Sequence, residues 1–223
     1  LLDMAIARAG LISVPIYETS SAEQVEWIVS DSDVCMVITE SGTLAELVRG
    51  AVADVGHPVE VLALDFDAIT TIVQAGSGVS PSQVDQRSSA LKADDIYSII
   101  YTSGTTGRPK GVELSHGNLV HLCVNVCPHV PEVLGGAEVR FLLFLPLAHV
   151  LGRFVEIAIV CSHSGVLGHV PDVRNLVTDL GSFRPTAVLA VPRVFEKIYN
   201  AADAKATGAR QKIFRLTAKT AIT

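Results

Sequence analysis

Ile96-Tyr-Ser-Ile-Ile-Tyr-Thr-Ser-Gly-Thr-Thr-Gly-Arg-Pro-Lys-Gly111 is the stretch on which the reading of the fold turns. Its first seven residues, Ile96 to Thr102, are rich in β-branched and aromatic side chains and read as a strand. A turn of Gly, Thr and Pro follows, and a helix is predicted from about Ser115 to Cys127. A strand that runs through a glycine turn into a helix is the repeating unit of α/β proteins.

The same alternation continues on both sides. Upstream, Ser20 with Glu23 forms a capping-box signature, and Val25, Ile28 and Val29 then recur at helical spacing. Val34 to Thr39 and Val59 to Leu64 read as strands buried on both faces, with a helix over Leu44 to Val52 between them. Residues 75–90, rich in Gly, Ser and Gln, read as an exposed loop.

Downstream, residues 139–145 are a strand and 149–161 a helix. A short strand near Val166, a helix around Asn175 to Leu180 and a strand from Ala187 to Val191 follow. Pro192 suits the first turn of a last helix, whose apolar face includes Phe195 and Ile198. The fold class is therefore α/β: a mostly parallel β-sheet with helices on both faces. Ligands in such sheets sit at the carboxyl ends of strands.

Composition narrows the function. The 223 residues are 49% apolar and 18% charged, enough for a substantial core and too apolar for disorder. Seventeen Lys and Arg stand against 23 Asp and Glu, a net charge of −6, which argues against a general nucleic-acid binder. Four cysteines do not make a disulfide framework in a chain of this length, so a reducing compartment is expected. Neither end carries a start or targeting signal, and the chain is expected to be part of a larger protein. Phe141 to Cys161 is long and apolar but contains Arg153 and Glu156, so it reads as strand then helix, not as a membrane span.

An acidic chain has gathered cations and small donors at one loop. Thr102, Ser103, Thr105 and Thr106 offer hydroxyls, and Gly104, Gly107 and Gly111 let the backbone approach a ligand. Arg108 and Lys110 add charge, and no acid lies between Ser103 and Val112. The chemistry fits a polyphosphate at a strand-to-helix junction. The spacing is neither a Walker A loop, since Gly111 follows the lysine, nor a dinucleotide fingerprint. The plainer alternative is a solvated turn that uses Gly for geometry and Thr for solubility.

YTSGTTGRPKGVELSHGNLV, residues 101–120, resembles the phosphate-loop signature of the adenylate-forming superfamily, which includes acyl-CoA synthetases, luciferase and peptide-synthetase adenylation domains. PIYETSSAEQVEWIVSDSD (15–33), LPLAHVLGR (145–153) and VPRVFEKIYN (191–200) resemble its long-chain fatty acyl-CoA synthetase branch. The resemblance implies that residues 1–223 are a partial N-terminal AMP-binding domain, part of the large N-terminal domain of such an enzyme. It implies ATP-dependent activation of a long-chain fatty acid through an acyl-adenylate, followed by thioester formation with coenzyme A. Thr102, Ser103, Gly104, Thr105, Thr106, Gly107 and Lys110 would then hold the β- and γ-phosphates of ATP. His149 falls in the family's second core motif, beside the acyl carboxylate and the α-phosphate. The bland reading of His149 is a helix cap, and Arg153 either supports it or pairs with Glu156.

The family's later motifs, for adenine, ribose and a C-terminal lysine, do not occur in these residues. The Mg²⁺ ligands are expected to lie outside them, and the chain by itself is expected to be incomplete for catalysis. Alternatives within the resemblance are a fatty acyl-AMP ligase serving a carrier protein and a truncated, non-catalytic nucleotide-binding relative. The expected location is cytoplasmic, with the long-chain substrate bringing the enzyme close to membranes. His121, Cys123, Cys127 and His129 do not make a metal site, because residues 121 and 123 lie about 200° apart on a helix. Trp27, the one tryptophan, falls on the polar side of its helix and is expected to lie under a loop.

Overall fold

A computed structural model describes residues 1–102, 107–134, 139–161, 165–208, 211–213, 215 and 217 of the chain. Two compact units are present: Leu1–Val126 with Pro146–Ile157, and Cys127–Leu145 with Ala158–Thr223.

The first unit opens with α1 (Leu2–Arg8) and α2 (Ala22–Asp31). Helix α2 starts one residue later than predicted, because the capping box is Ser21 with Gln24 and not Ser20 with Glu23. It is followed by β1 (Met36–Thr39), α3 (Gly42–Ala51) and β2 (Glu60–Ala63). Strands β1 and β2 pair in parallel with Met36 opposite Glu60. Val25 and Val29 of α2 and Ala45 and Val48 of α3 pack against Val61 and Ala63 into one core. Burying each valine there contributes about 1.5–3 kcal/mol. The expectation that both strands are buried on both faces is only half met: Met36 and Glu60 are exposed, because each strand has one face on this core.

Next come α4 (Ala68–Ala75) and α5 (Pro81–Ala90). Residues 81–90 were expected as loop and are helical instead. Ser80 and Gln83 form a second capping box, Pro81 sits at the helix start, and Arg8 pairs with Asp85 at 2.6 Å. The helix has no buried residue, so apolar periodicity had nothing to report.

Strand β3 (Ile96–Thr102) does not lead directly into a helix. It pairs antiparallel with β4 (Lys110–Ser115), and α6 (His116–Val126) begins only after β4. Ser115 and Asn118 cap α6 reciprocally, each backbone N–H donating to the other's side-chain oxygen. Residues near Ser13 add a short parallel bridge to β3 at Ser98.

The second unit holds α7 (Pro131–Leu134) and β5 (Val139–Leu143); α8 (Val150–Cys161) follows, its first turns belonging to the first unit. The run Phe141 to Cys161 is thus strand then helix, and no helix among the described residues is long and apolar enough to cross a membrane. Strand β6 (Gly165–His169) pairs parallel with β5, and α9 (Leu176–Phe183) and α10 (Pro192–Lys205) complete the unit. Leu142, Phe144, Val170 and Leu176 form its core, with Val194 and Ile198 of α10 packed on them.

Two predictions for this unit change. The strand over Ala187 to Val191 is a single bridge from Ala187 to Phe141, and Val188 and Ala190, half-buried, pack against the core without a ladder. Phe195 is 52% exposed and is not part of the α10 core face. Two of the three strand pairs among the described residues are parallel, and the chain is α/β as expected.

Candidate functional site

The glycine loop is carried by the β3–β4 hairpin. Thr102 and Lys110 are cross-strand partners at its base, and Tyr101 faces Gly111. Ser103, Gly104, Thr105 and Thr106 lie outside the described residues. Gly107 has φ +108°, a conformation that glycine alone adopts without strain. The predicted strand-to-helix junction is corrected: the loop links antiparallel strands, and the next helix, α6, begins only after β4.

A helix N-terminus reaches the site from elsewhere. A cleft of about 420 Å³ is lined by Tyr17, Thr19, Gln24, Tyr101, Thr102 and His149, with Val150 at the start of α8 also in its wall. The positive N-terminal end of α8 therefore borders the same space as the hairpin base. Sequence reasoning placed Thr102 and His149 in the site, and both line this cleft. It missed Tyr17, Thr19 and Gln24 as site residues. Their only signal was the segment 15–33, which carried a family resemblance without assigning any role.

His149 is the N-cap of α8. Its backbone carbonyl accepts from the N–H of Gly152 at 3.0 Å, and its Nδ1 accepts from the N–H of Leu151 at 3.1 Å. The two readings of this residue are compatible, since one ring nitrogen caps the helix while the residue lines the cleft. With Nδ1 accepting, the neutral ring carries its proton on Nε2. His149 is thus set as a hydrogen-bond donor.

Arg153 takes neither of its expected roles. Its Nη1 lies 2.6 Å from Asp3 Oδ1, and its Nη2 donates to the Ser13 hydroxyl at 2.9 Å. The Tyr97 hydroxyl donates to the other Asp3 oxygen at 2.6 Å. Arg153 is 2% exposed and Asp3 9%, so this is a buried polar network that ties α8 to α1 and β3. Burial raises the Asp3 carboxyl, but hydrogen bonds from Tyr97, Arg153 and Ser13 and the Arg153 charge outweigh it and hold the group below its ordinary value. Glu156, 4% exposed, is pushed the other way by burial and by the Asp3 charge, and its Oε2 has no hydrogen-bond partner among the described residues.

Trp27 lies under the loop, as expected. Its Nε1–H donates to the Pro109 carbonyl at 2.8 Å, and the Arg108 guanidinium sits 4.6 Å from its ring centroid. The Tyr101 hydroxyl donates to Asp31 at 2.6 Å; burial and that carboxylate raise it above its ordinary value, so it remains a donor. Cys123 is buried in α6 and Cys127 half-buried after it. Among the described residues no group of three or more His, Cys, Asp or Glu is arranged to hold a metal ion.

Comparison with known proteins places the chain in a family. The family model for AMP-binding enzymes matches residues 1–219. The chain is 42% identical over its whole length to the long-chain-fatty-acid–CoA ligase FadD15 of Mycobacterium bovis, of which it covers 37%. It is 32% identical to long chain acyl-CoA synthetase 4 of Arabidopsis thaliana over 88% of its own length and 31% of that protein. The solved structure of a Mycobacterium tuberculosis fatty acyl CoA synthetase superposes with a TM-score of 0.69 at 23% identity, covering 87% of this chain and 37% of that one. The chain therefore spans about a third of the length of these relatives. With its glycine loop on a hairpin beside the capped start of α8, and the family model running through nearly all of its residues, the chain belongs to the AMP-binding enzyme family.

Proposed function

We propose that this chain supplies the phosphate-loop portion of an ATP-dependent long-chain fatty acid–CoA ligase. One observation carries the reading: the base of the glycine hairpin at Thr102 and the helix-capping His149 line the same cleft. The 42% identity to a mycobacterial long-chain ligase supports the substrate class.

In this reading the fatty acid carboxylate oxygen attacks the α-phosphorus of ATP. The bond from that phosphorus to the bridging oxygen breaks, and pyrophosphate leaves with the electron pair. Thr102, Ser103, Gly104, Thr105, Thr106, Gly107 and Lys110 hold the β- and γ-phosphates as charge builds on them. His149, with Nε2–H as donor and the N-terminal dipole of α8 beside it, orients the carboxylate and the α-phosphate oxygens. Coenzyme A thiolate then attacks the acyl carbonyl and displaces AMP. The described cleft lining offers hydroxyls, an amide and an imidazole but no carboxylate, a donor set that does not fit a resident Mg²⁺, so no step is assigned to the metal.

The test is to incubate the full-length protein that carries this chain with MgATP and palmitate, then with coenzyme A. Palmitoyl-adenylate and pyrophosphate in the first stage, and palmitoyl-CoA in the second, are expected. No pyrophosphate release with any fatty acid overturns the reading. Adenylate without a thioester moves the acceptor from coenzyme A to a carrier protein.

A further inference from the structure

We infer that Trp27 and Asp31 of α2 are positioning residues that clamp both arms of the glycine hairpin and so set the register in which its loop meets phosphate. The inference deepens the ATP reading above and rests on it for the identity of the ligand.

Trp27 and Asp31 are four residues apart and share a face of α2. Asp31 takes the hydroxyl of Tyr101, the residue just before Thr102, at 2.6 Å. Trp27 donates to the carbonyl of Pro109, the residue just before Lys110, at 2.8 Å. The two anchors thus sit beside the Thr102–Lys110 pair at the base of the loop, Tyr101 at the end of β3 and Pro109 immediately before β4. Arg108 stacks on the same indole, which adds a second hold on the outgoing arm.

Two further features make this a built arrangement. Residue 111 has to be glycine for Tyr101 to lie where it does: a Cβ there would come within 3.1 Å of Tyr101 Cζ and 2.8 Å of Ile99 Cγ2. The absent side chain leaves the Tyr101 ring free to cross its partner strand toward Asp31. Helix α2 is itself a firm mount, since Val25, Ile28 and Val29 are buried and its first turn is closed by the Ser21–Gln24 capping box. A phosphate-binding loop gains from fixed ends, because ordering them in advance lowers the entropy lost when ligand arrives.

Three variants of the full-length protein test the clamp. Trp27→Phe keeps a ring under Arg108 and deletes the N–H donor. Asp31→Ala deletes the acceptor for Tyr101, and Asp31→Asn restores one. The expected result is a rise of about three- to tenfold in KM for ATP in Trp27→Phe and Asp31→Ala, with KM for the fatty acid unchanged and Asp31→Asn within about twofold of wild type. Amide hydrogen exchange across residues 107–115, measured without ligand, should be faster in the first two variants than in wild type. Unchanged exchange in both overturns the clamp. Faster exchange with both KM values rising together, alongside a lower melting temperature, overturns the positioning role in favour of general loosening. If the wild-type protein releases no pyrophosphate, the proposed function falls, and the exchange rates alone then decide the clamp.

Discussion

Strands β4 and β5 are nearly equal in length, six and five residues, and could hardly differ more in what holds them. In β5 four of five residues are buried, and its parallel partner β6 completes the ladder in the second unit. In β4 the first four residues are exposed, and its extended form rests on the antiparallel ladder to β3. The first is a strand because its side chains need to leave water. The second is a strand because a loop that presents glycines and cations needs two fixed arms. Core strands and site strands are specified by different physics, so single substitutions in them should fail in different ways.

The widest split is expected between Phe141→Ala and Lys110→Ala. Phe141 is 5% exposed, and its truncation should cost about 3–5 kcal/mol in denaturant unfolding. Lys110 is exposed, so its truncation should leave the unfolding midpoint within experimental error while adenylate formation falls about 100-fold or more. A large loss of stability in Lys110→Ala would erase the contrast.

Gly111→Ala probes the boundary between the two kinds of strand. The added methyl meets Ile99 and the Tyr101 ring, so a loss of about 1–3 kcal/mol is expected together with a raised KM for ATP. A stability loss with unaltered ATP kinetics would show that the Tyr101 ring does not set the loop.

Glu156→Gln is the smallest and most pH-specific change. The folded carboxyl of Glu156 is raised above the 4.5 of an unperturbed glutamate, so its stabilising share is full below that value and is lost as pH rises through the folded value. Asp3, with a lowered folded value, behaves oppositely and loses its share only as pH falls through that lowered value. Gln stands in for the protonated form. The variant should therefore be more stable than wild type by about 1 kcal/mol near neutral pH, and the advantage should vanish on acidification toward pH ~4. An advantage independent of pH would mean that packing, not ionisation, sets the difference.

Legibility followed the same division. Val25, Ile28, Val29 and the run Val139 to Leu143 announced themselves, because burial imposes periodicity on neighbouring residues. Helix α5 went unseen since nothing in it is buried, although its Ser80–Gln83 cap and Pro81 were in plain view. Strand β4 was read through as turn because its glycine and its charges mask the Val112–Leu114 alternation. In the site, Thr102, Gly107, Lys110 and His149 were visible as chemistry. Arg153 was assigned to a neighbour four or three residues away and instead found Asp3, 150 positions distant.

The sequence by itself determined the α/β class and the elements with a buried face, where hydroxyls, glycines and cations gather, and which family those residues resemble. All three are properties of residues close together in the chain, where side-chain period and composition act directly. Only the tertiary structure decided that the glycine loop closes a hairpin, that His149 caps a helix on the same cleft, and that Trp27 reaches Pro109 across 82 positions. Such partnerships depend on how distant segments are brought together by burial of apolar surface. A hydrogen bond is selected by the geometry that remains after that packing, and no local pattern encodes it.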